Sequence, residues 1–297
     1  MEQEKLTLAI IGVGLIGGSL GLCLKDKLGD DIYITGLCRT QASMDAAVAL
    51  GAVDEASPDI EQVVKDADVI YLSTPVLQIV PMVQKLLPFV KEGAVLTDAG
   101  STKSYLWETI RPLLPPHIYY VSGHPMTGKE KSGVEAADKD LFLHKCYVIL
   151  EETTAPKDVF DKTVELIRLT GANLTTLSTA KHDRCASLIS HVPHITAAAL
   201  VTLLAENPED DEDSLKLAGG GFKDTTRIAS SNADMWADIC MTNGPAIEAH
   251  LAQMRKILGD VADAVHRKDR AAVHDYFAAA KKRRDAILHE TEKMFEI

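Results

Sequence analysis

Residues 6–24 read LTLAIIGVGLIGGSLGLCL and contain no charged side chain. A run of this length could be a membrane span or the core of a signal peptide. Glycines interrupt it repeatedly, however, and Glu2, Glu4 and Lys5 precede it without a recognisable cleavage site. The stretch therefore predicts a buried strand, a glycine-rich turn and the start of a helix, and not a segment for a lipid bilayer.

The turn matches the pattern G-x-G-x-x-G from Gly12 to Gly17. Between a strand and a helix, the first glycine permits a tight turn, the second admits a pyrophosphate, and the third allows close helix–strand packing. The helix N-terminus adds free N–H groups and a positive dipole end. The predicted binders of the cofactor, in this loop and after a later strand, are Gly12, Gly14, Leu15, Ile16, Gly17, Ser73 and Thr74.

The end of the second predicted strand bears on the choice of cofactor. An NAD site usually has Asp or Glu there, about 20 residues after the glycine loop, to bind the ribose hydroxyls. Here Cys38 holds that place and is followed by Arg39 and Thr40. A cation and a hydroxyl suit the 2′-phosphate that a carboxylate would repel. Arg39 and Thr40 are therefore predicted cofactor contacts, with NADP favoured and NAD as the alternative.

Hydrophobic patterning predicts an α/β fold with two domains in the 297 residues. Short apolar runs alternate with amphipathic stretches up to about residue 177, which is typical of a parallel sheet covered by helices on both faces. Strand-like runs disappear from Ser178 onward and long helical patterns replace them. We expect a Rossmann-type dinucleotide-binding domain over 1–177 and an all-helical domain over 178–297, whose apolar helix face packs within the monomer or against a second copy.

Charge and cysteine content narrow the possible partners. The 43 acidic residues exceed the 31 basic ones, and a net charge of -12 disfavours nucleic acid and acidic membrane surfaces. The five cysteines are odd in number and form no C-x-x-C pair, so we expect no disulfide framework and a cytoplasmic protein. His191 and His194 lack further ligands at suitable spacing, so no metal site is predicted.

Four further segments carry polar residues suited to chemistry. They read DAGSTK (98–103), SGHPMTG (122–128), SHVPH (190–194) and GGGFKDTTRIA (219–229). Ser101 and His124 each follow a predicted strand, so both should lie at the carboxyl edge of the sheet, where ligands of open α/β sheets bind. Taken singly, the histidines could be packing or capping residues and Arg227 could belong to a surface ion pair.

Together and in this order, these motifs resemble the prephenate and arogenate dehydrogenase family over nearly the whole chain. The resemblance implies a Rossmann domain, a helical domain that forms much of a homodimer interface, and an active site in the cleft between them. It implies oxidative decarboxylation of prephenate, a small dicarboxylate, to 4-hydroxyphenylpyruvate with reduction of NAD(P)+, in tyrosine biosynthesis. Arogenate or dual specificity is the close alternative.

The resemblance also assigns roles to single residues. His124 matches the catalytic histidine that accepts the proton of the substrate hydroxyl, and Ser101 matches the serine that hydrogen bonds to that histidine or to the hydroxyl. The substrate-binding residues that it implies are Arg227 for the ring carboxylate, and His191, His194 and Lys223 for the pyruvyl end or the cleft. Glu130 and Asp224 match acidic positions that gate the cleft in some relatives.

Two positions bear on how closely the sequence follows the family pattern. Lys129 stands where relatives often have Thr or Ser, while His194 favours prephenate because some arogenate-selective relatives have an apolar residue there. We expect no appended regulatory or mutase domain, so any feedback by tyrosine would act at the active site.

Another two-domain Rossmann enzyme, such as a β-hydroxyacid dehydrogenase or imine reductase, would not combine these histidine motifs. A non-catalytic dinucleotide-binding sensor would need Gly12 to Gly17 but neither Ser101 nor His124.

Overall fold

The computed structural model describes residues 5–129, 131, 133–209 and 211–295. The chain divides into two compact units, Met1–Gly244 and Pro245–Ile297. The fold class predicted from the sequence, a Rossmann-type sheet followed by a helical part, is confirmed. The predicted domain boundary after residue 177 stays a prediction, because Leu177 ends the last strand whereas the compact units separate later in the chain.

An eight-stranded sheet forms the centre of the first unit. In the order of the chain its strands are β1 Leu6–Ile11, β2 Ile32–Leu37, β3 Glu55–Ser57, β4 Val69–Leu72, β5 Val95–Asp98, β6 Tyr119–Pro125, β7 Cys146–Thr153 and β8 Asn173–Leu177. In space they follow the order β3-β2-β1-β4-β5-β6-β7-β8. Every neighbouring pair is parallel except β6 and β7, which run antiparallel.

Helices cover both faces of this sheet. Those within the strand-containing part are α1 Leu15–Leu28, α2 Gln41–Ala49, α3 Ile60–Val64, α4 Val76–Leu86, α5 Ser104–Ile110 and α6 Lys157–Arg168. Strand β1 shows why two layers are needed, since its alternate residues belong to two different apolar cores. Leu8 and Ile10 pack in one core and Ala9 and Ile11 in the other, and all four are fully buried.

Three local features differ from the sequence-based expectation. Strands β3 and β8 lack the apolar runs by which strands are recognised in the sequence. The amphipathic pattern over residues 153–169 predicts a helix, but Thr153 ends β7 instead. The helix begins four residues later, at Lys157. The antiparallel pairing of β6 with β7 is also unexpected. Its reason is the connection between them, where only the single turn Val134–Ala136 is helical among the described residues, so no crossover helix returns the chain for parallel pairing.

The rest of the first unit is helical among the described residues. Its helices are α7 Thr179–Ala186, α8 Val192–Ala205, α9 Asp211–Leu217, α10 Gly220–Thr226 and α11 Ala233–Thr242. A π-helical turn, Ser187–His191, joins α7 to α8, and Pro193 lies in the first turn of α8, where its missing N–H is tolerated.

By length and composition alone, Thr179–Ala205 is apolar enough to cross a membrane, with a mean hydropathy of 1.6 in its most apolar window. The polar side chains of His182, Asp183 and His191 from this stretch form hydrogen bonds within the first unit. These bonds hold the N-terminal part of the stretch in the first unit, whereas only 17% of its most apolar window is buried.

The second unit contains most of α12, Gly244–His266, and all of α13, Arg270–Phe295. The two helices are joined by a short turn in which Lys268 has a positive φ of 57°. Several large apolar side chains on these helices are exposed, among them Ile257, Leu258, Val265, Phe277 and Leu288. Such a concentration of exposed apolar side chains is typical of a surface that another protein covers.

The third glycine of the phosphate loop leads to a stability prediction. A Cβ at Gly17 would lie 2.5 Å from Ser73 Oγ and 2.6 Å from the carbonyl oxygen of Gly12, whereas a Cβ at Gly14 meets nothing within 4 Å. We expect Gly17→Ala to lower the free energy of unfolding by about 1–3 kcal/mol through overpacking. Gly14→Ala should change it by less than about 1 kcal/mol. Urea unfolding measures both, and equal losses would contradict this account.

Candidate active site

Four neighbouring parallel strands bring the predicted site residues to one edge of the sheet. The glycine loop follows β1, Ser73 follows β4, Ser101 follows β5, and His124 lies near the end of β6. In the sheet these strands are adjacent in the order β1-β4-β5-β6. Their carboxyl ends therefore share the edge at which open α/β sheets bind ligands.

The glycine loop has the geometry that a phosphate site requires. Gly12 adopts a positive φ of 95°, and Ser73 Oγ donates to the Gly12 carbonyl at 2.9 Å. Space around Gly14 is open, since a Cβ there would meet no atom within 4 Å. The backbone can therefore approach a pyrophosphate closely at this point. Leu15 and Ile16 form the first turn of α1 and are partly exposed.

Two observations fit a dinucleotide at this loop. No side chain caps the N-terminus of α1, so its first amides keep their hydrogen-bonding capacity for an anion. The buried Oγ1 of Thr74 finds no hydrogen-bond partner among the described residues. Gly14, Leu15, Ile16 and Thr74 could thus hold cofactor phosphates or an adjacent polar group.

The predicted ribose contacts differ in their availability. Thr40 caps α2 in a capping box, because its Oγ1 accepts the amide of Ser43 at 3.2 Å. Its hydroxyl is therefore partly committed to the helix. Arg39 is exposed and forms no ion pair with a described residue, which leaves its guanidinium available to a ligand. Cys38 is buried beneath them.

A buried ion pair between Lys103 and Asp98 lies next to His124, in the interior of the sheet edge. Lys103 and Asp98 are both completely buried, and the Lys103 ammonium donates to Asp98 Oδ1 and, at 2.6 Å, to the carbonyl oxygen of Gly123. The other carboxylate oxygen of Asp98 accepts the hydroxyls of Ser122 at 2.6 Å and Tyr120 at 2.8 Å. Both charges are thus paired and hydrogen bonded, as burial requires.

His124 is hydrogen bonded to a second histidine. Its Nδ1 lies 2.8 Å from Nε2 of His182, and Nδ1 of His182 lies 2.8 Å from Oδ1 of Asp183. All three side chains are buried. The Asp183 carboxylate also accepts the backbone amides of Lys103 and Ser104, each at 2.8 Å. The structure therefore joins α7 to the start of α5 and to the end of β6 through continuous hydrogen bonds.

Burial keeps the site histidines neutral. The pKa of His124 lies well below its ordinary value because burial disfavours the imidazolium, and His182 and Lys103 lower it further. Burial also lowers the pKa of His191 to about 4. Asn243 Nδ2 lies 3.1 Å from Nδ1 of His191 and donates to it when that nitrogen carries no proton. At neutral pH, His124 can therefore accept a proton.

Ser101 occupies the expected loop but does not hold His124. It is partly exposed after β5, and its hydroxyl forms no hydrogen bond with His124 among those found between described residues. His182 is the partner of that histidine instead. Of the two contacts that the sequence left open for Ser101, the one to a substrate hydroxyl is compatible with this placement.

The predicted substrate-binding residues of the helical part form a second group. His194 stacks on Trp236 with ring centroids 3.8 Å apart, and Trp236 Nε1 is buried without a hydrogen-bond partner among the described residues. Burial lowers the pKa of His194, and the nearby positive charge of Arg227 lowers it further although the Ser190 carbonyl opposes this. Arg227 and Lys223 are exposed.

Sequence reasoning missed several of these residues. His182, Asp183, Lys103, Asn243 and Trp236 were not singled out, although all of them contact a predicted site residue or its neighbour. An adjacent His-Asp pair at the start of the helical half was the available signal.

The two acidic positions named from the resemblance are not informative in the structure, since Glu130 lies outside the described residues and Asp224 is exposed on α10. No group of three ligands suitable for a metal ion occurs in the described part of the chain.

Known proteins resemble the chain over nearly its full length. Residues 20–176 match the family model for the nucleotide-binding domain of prephenate dehydrogenase, and residues 178–279 match the model for its dimerization domain. The chain is 33% identical over 288 residues to the prephenate dehydrogenase of Bacillus subtilis (strain 168), covering 97% of this chain and 77% of that protein. It is 27% identical over 281 residues to the cyclohexadienyl dehydrogenase of Zymomonas mobilis, covering 94% and 95% respectively.

A solved structure shows the same similarity. The crystal structure of prephenate dehydrogenase from A. aeolicus in complex with hydroxyphenyl propionate and NAD+ superposes with a TM-score of 0.88. The two sequences are 30% identical, and the match covers 97% of this chain and 100% of the other.

The buried ion pair leads to a prediction about folding. Lys103→Met leaves Asp98 charged and unpaired, so we expect the free energy of unfolding to fall by about 3–5 kcal/mol. Adding Asp98→Asn should restore part of that loss. Lys91→Met removes a half-exposed ion pair with Asp68 and should cost less than about 1 kcal/mol. Urea unfolding of the wild type and the three variants measures this, and similar losses for Lys103→Met and Lys91→Met would disprove the assignment.

Proposed function

The chain belongs to the prephenate dehydrogenase family, and on that premise we propose that it converts prephenate and NAD(P)+ to 4-hydroxyphenylpyruvate, CO2 and NAD(P)H. The reaction is part of tyrosine biosynthesis. The observation that carries the proposal is the buried, neutral His124 at the sheet edge that also holds the phosphate loop. A proton acceptor and a dinucleotide loop on one edge are the two elements that an alcohol oxidation needs.

His124 accepts the proton of the substrate hydroxyl as the carbon that bears it becomes a carbonyl. Bound NAD(P)+ supplies the acceptor for the hydride that leaves the same carbon. The bond between the ring and its carboxylate then breaks, CO2 departs, and the electron pair makes the ring aromatic. The former carbonyl oxygen becomes a phenolate and takes the proton back from His124, which leaves the base neutral again. The hydroxyl becomes strongly acidic while hydride leaves, so even an imidazole of lowered pKa can accept its proton.

Substrate binding requires cations in a protein of net charge -12. Prephenate carries two carboxylates, and a guanidinium can hold one of them with two parallel hydrogen bonds. Arg227 takes the ring carboxylate in this proposal, with Lys223, His191 and His194 toward the pyruvyl end. The proximity of Arg227 to His194 and the stacking of His194 on Trp236 support a common binding region.

Arogenate is the second candidate substrate. Relatives of this chain are named for either or both substrates, since one is a cyclohexadienyl dehydrogenase. Arogenate differs from prephenate at the side chain, where an amino acid replaces the keto acid. The half-buried, uncharged His194 favours the keto acid, because it carries no negative charge to pair with the ammonium group that arogenate has in place of the keto oxygen.

NADP is the proposed cofactor. The exposed Arg39 at the end of β2 supports this preference, together with the absence of a carboxylate at Cys38. A 2′-phosphate would gain a charge-assisted hydrogen bond from the guanidinium.

Assembly and location complete the proposal. The exposed apolar side chains of α12 and α13 support a homodimer through the helical domain, because a second copy would bury them. The reaction uses soluble metabolites and a diffusible cofactor, which supports a cytoplasmic location. The proposed reaction requires neither a nucleic acid nor a membrane as a partner.

Turnover with prephenate tests the function directly. The purified protein should produce reduced nicotinamide and CO2 in equal amounts from prephenate and NADP+ or NAD+, with arogenate assayed in parallel. We expect His124→Asn to lower kcat by about 10²–10⁴-fold with KM within a few-fold, because only proton transfer is lost. Tight cofactor binding without turnover of either substrate would favour a non-catalytic sensor. Normal turnover by His124→Asn would refute the assignment of His124 as the proton acceptor.

The cofactor preference has its own test. Arg39→Ala should raise the KM for NADP+ about tenfold and leave the KM for NAD+ within about twofold, because only NADP+ carries the 2′-phosphate. Arg168→Ala, which removes an exposed arginine of α6, is the matched control and should change neither value. Equal effects of Arg39→Ala on the two cofactors would contradict the assignment.

A further inference from the structure

Three buried side chains form a linear hydrogen-bonded chain behind the face that His124 offers to substrate. Asp183 contacts Nδ1 of His182, and Nε2 of His182 contacts Nδ1 of His124, with both distances at 2.8 Å. Asp183 and His182 are 5% and 2% exposed, so water does not compete for these bonds. The remaining ring nitrogen of His124, Nε2, takes no part in the chain.

The direction of each hydrogen bond follows from Asp183. Burial opposes ionisation of its carboxyl, but hydrogen bonds from His182 and from the amides of Lys103 and Ser104 hold its pKa below the ordinary value. An ionised carboxylate only accepts, so Nδ1 of His182 must donate. Since one proton on the ring is enough for this bond, Nε2 of His182 is left as the acceptor in the arrangement proposed below. His124 must therefore donate from Nδ1, and its Nε2 carries the free electron pair.

We propose that His182 and Asp183 are positioning residues that hold His124 in the Nδ1–H tautomer, with Nε2 as the atom that takes the substrate proton. The inference rests on the proposed function and specifies how its base is prepared. The opposite tautomer of His182 would turn a lone pair toward the Asp183 carboxylate and is excluded by repulsion. When His124 takes the proton, its charge is stabilised through His182 by the carboxylate, which the Lys103 and Ser104 amides keep in place.

The position of the pair in the fold separates it from the binding machinery. Residues 182 and 183 belong to α7, whereas His124 belongs to β6 and the phosphate loop follows β1. Loss of the hydrogen bonds from Asp183 through His182 to His124 should therefore change proton transfer and leave cofactor binding intact. A merely structural role would predict lower stability with an unchanged tautomer of His124.

Substitution of His182 tests the kinetic consequence. His182→Leu removes the acceptor for His124 Nδ1, so we expect kcat to fall by about 100-fold while KM for prephenate stays within about threefold. His182→Gln keeps an amide oxygen that can accept from Nδ1, and should recover at least tenfold of that loss. His117→Leu is the control, because His117 is exposed and takes no part in the Asp183–His182–His124 hydrogen bonds; this variant should keep wild-type kcat.

Nitrogen-15 NMR of the histidine rings tests the tautomer without any turnover. In the full chain at pH 7.5, we expect the ring of His124, identified by the signals that His124→Asn lacks, to be protonated at Nδ1. In His182→Leu these signals should move toward the Nε2–H tautomer, and in His182→Gln they should stay. The proposed function could fail in the assay while this result holds, so the two failures are distinguishable.

Specific outcomes would overturn the inference. An Nε2–H tautomer in the wild-type protein would do so, as would an unchanged tautomer and kcat in His182→Leu. Loss of kcat that Gln fails to restore would assign His182 a structural role only. If His182→Leu does not fold by circular dichroism, the wild-type tautomer and the His182→Gln variant decide the question.

Discussion

A lysine without access to water is the constraint on which the site depends. The ammonium of Lys103 is stable in the interior only because Asp98 neutralises it and because Gly123 and Ser122 accept further hydrogen bonds. These contacts fix the end of β5 against β6 at the residues beside His124. Since an unpaired buried charge costs several kcal/mol, any movement between the two strand ends would meet a steep penalty.

The same residue also anchors His124, the proposed proton acceptor, from the other direction. While its ammonium binds the Gly123 carbonyl, the backbone amide of Lys103 donates to Asp183, which holds His182 and through it His124. The contacts close a ring that begins and ends at Lys103. A ring of this kind holds the imidazole more firmly than any single contact, because each bond limits the movement of the next. Such support is what a catalytic group needs to keep its geometry.

The sequence predicted the parts that have strong local signals. Six of the eight strands are apolar runs, and the phosphate loop has a fixed glycine spacing, so both could be identified without a structure. Strands β3 and β8 read EAS and NLTTL, which are too short or too polar to stand out. His182 and Asp183 lie in the segment TAKHDRCA, which reads as a solvated helix face, and only the packing of α7 against the sheet end buries them. Tertiary contacts that join distant segments leave no periodic pattern in a sequence.

The distribution of charge explains why the site can bind an anion and still accept a proton. A cation beside His124 disfavours its protonation, and Lys103 does lower the pKa of His124, although the pairing of Lys103 with Asp98 limits the net positive charge there. His124 and His191 stay neutral by burial, so neither contributes the charge that holds a carboxylate. That charge must come from elsewhere, and in the proposed function Arg227 provides it from an exposed turn after α10. Because anion binding and proton transfer depend on separate groups, each can be tuned without loss of the other.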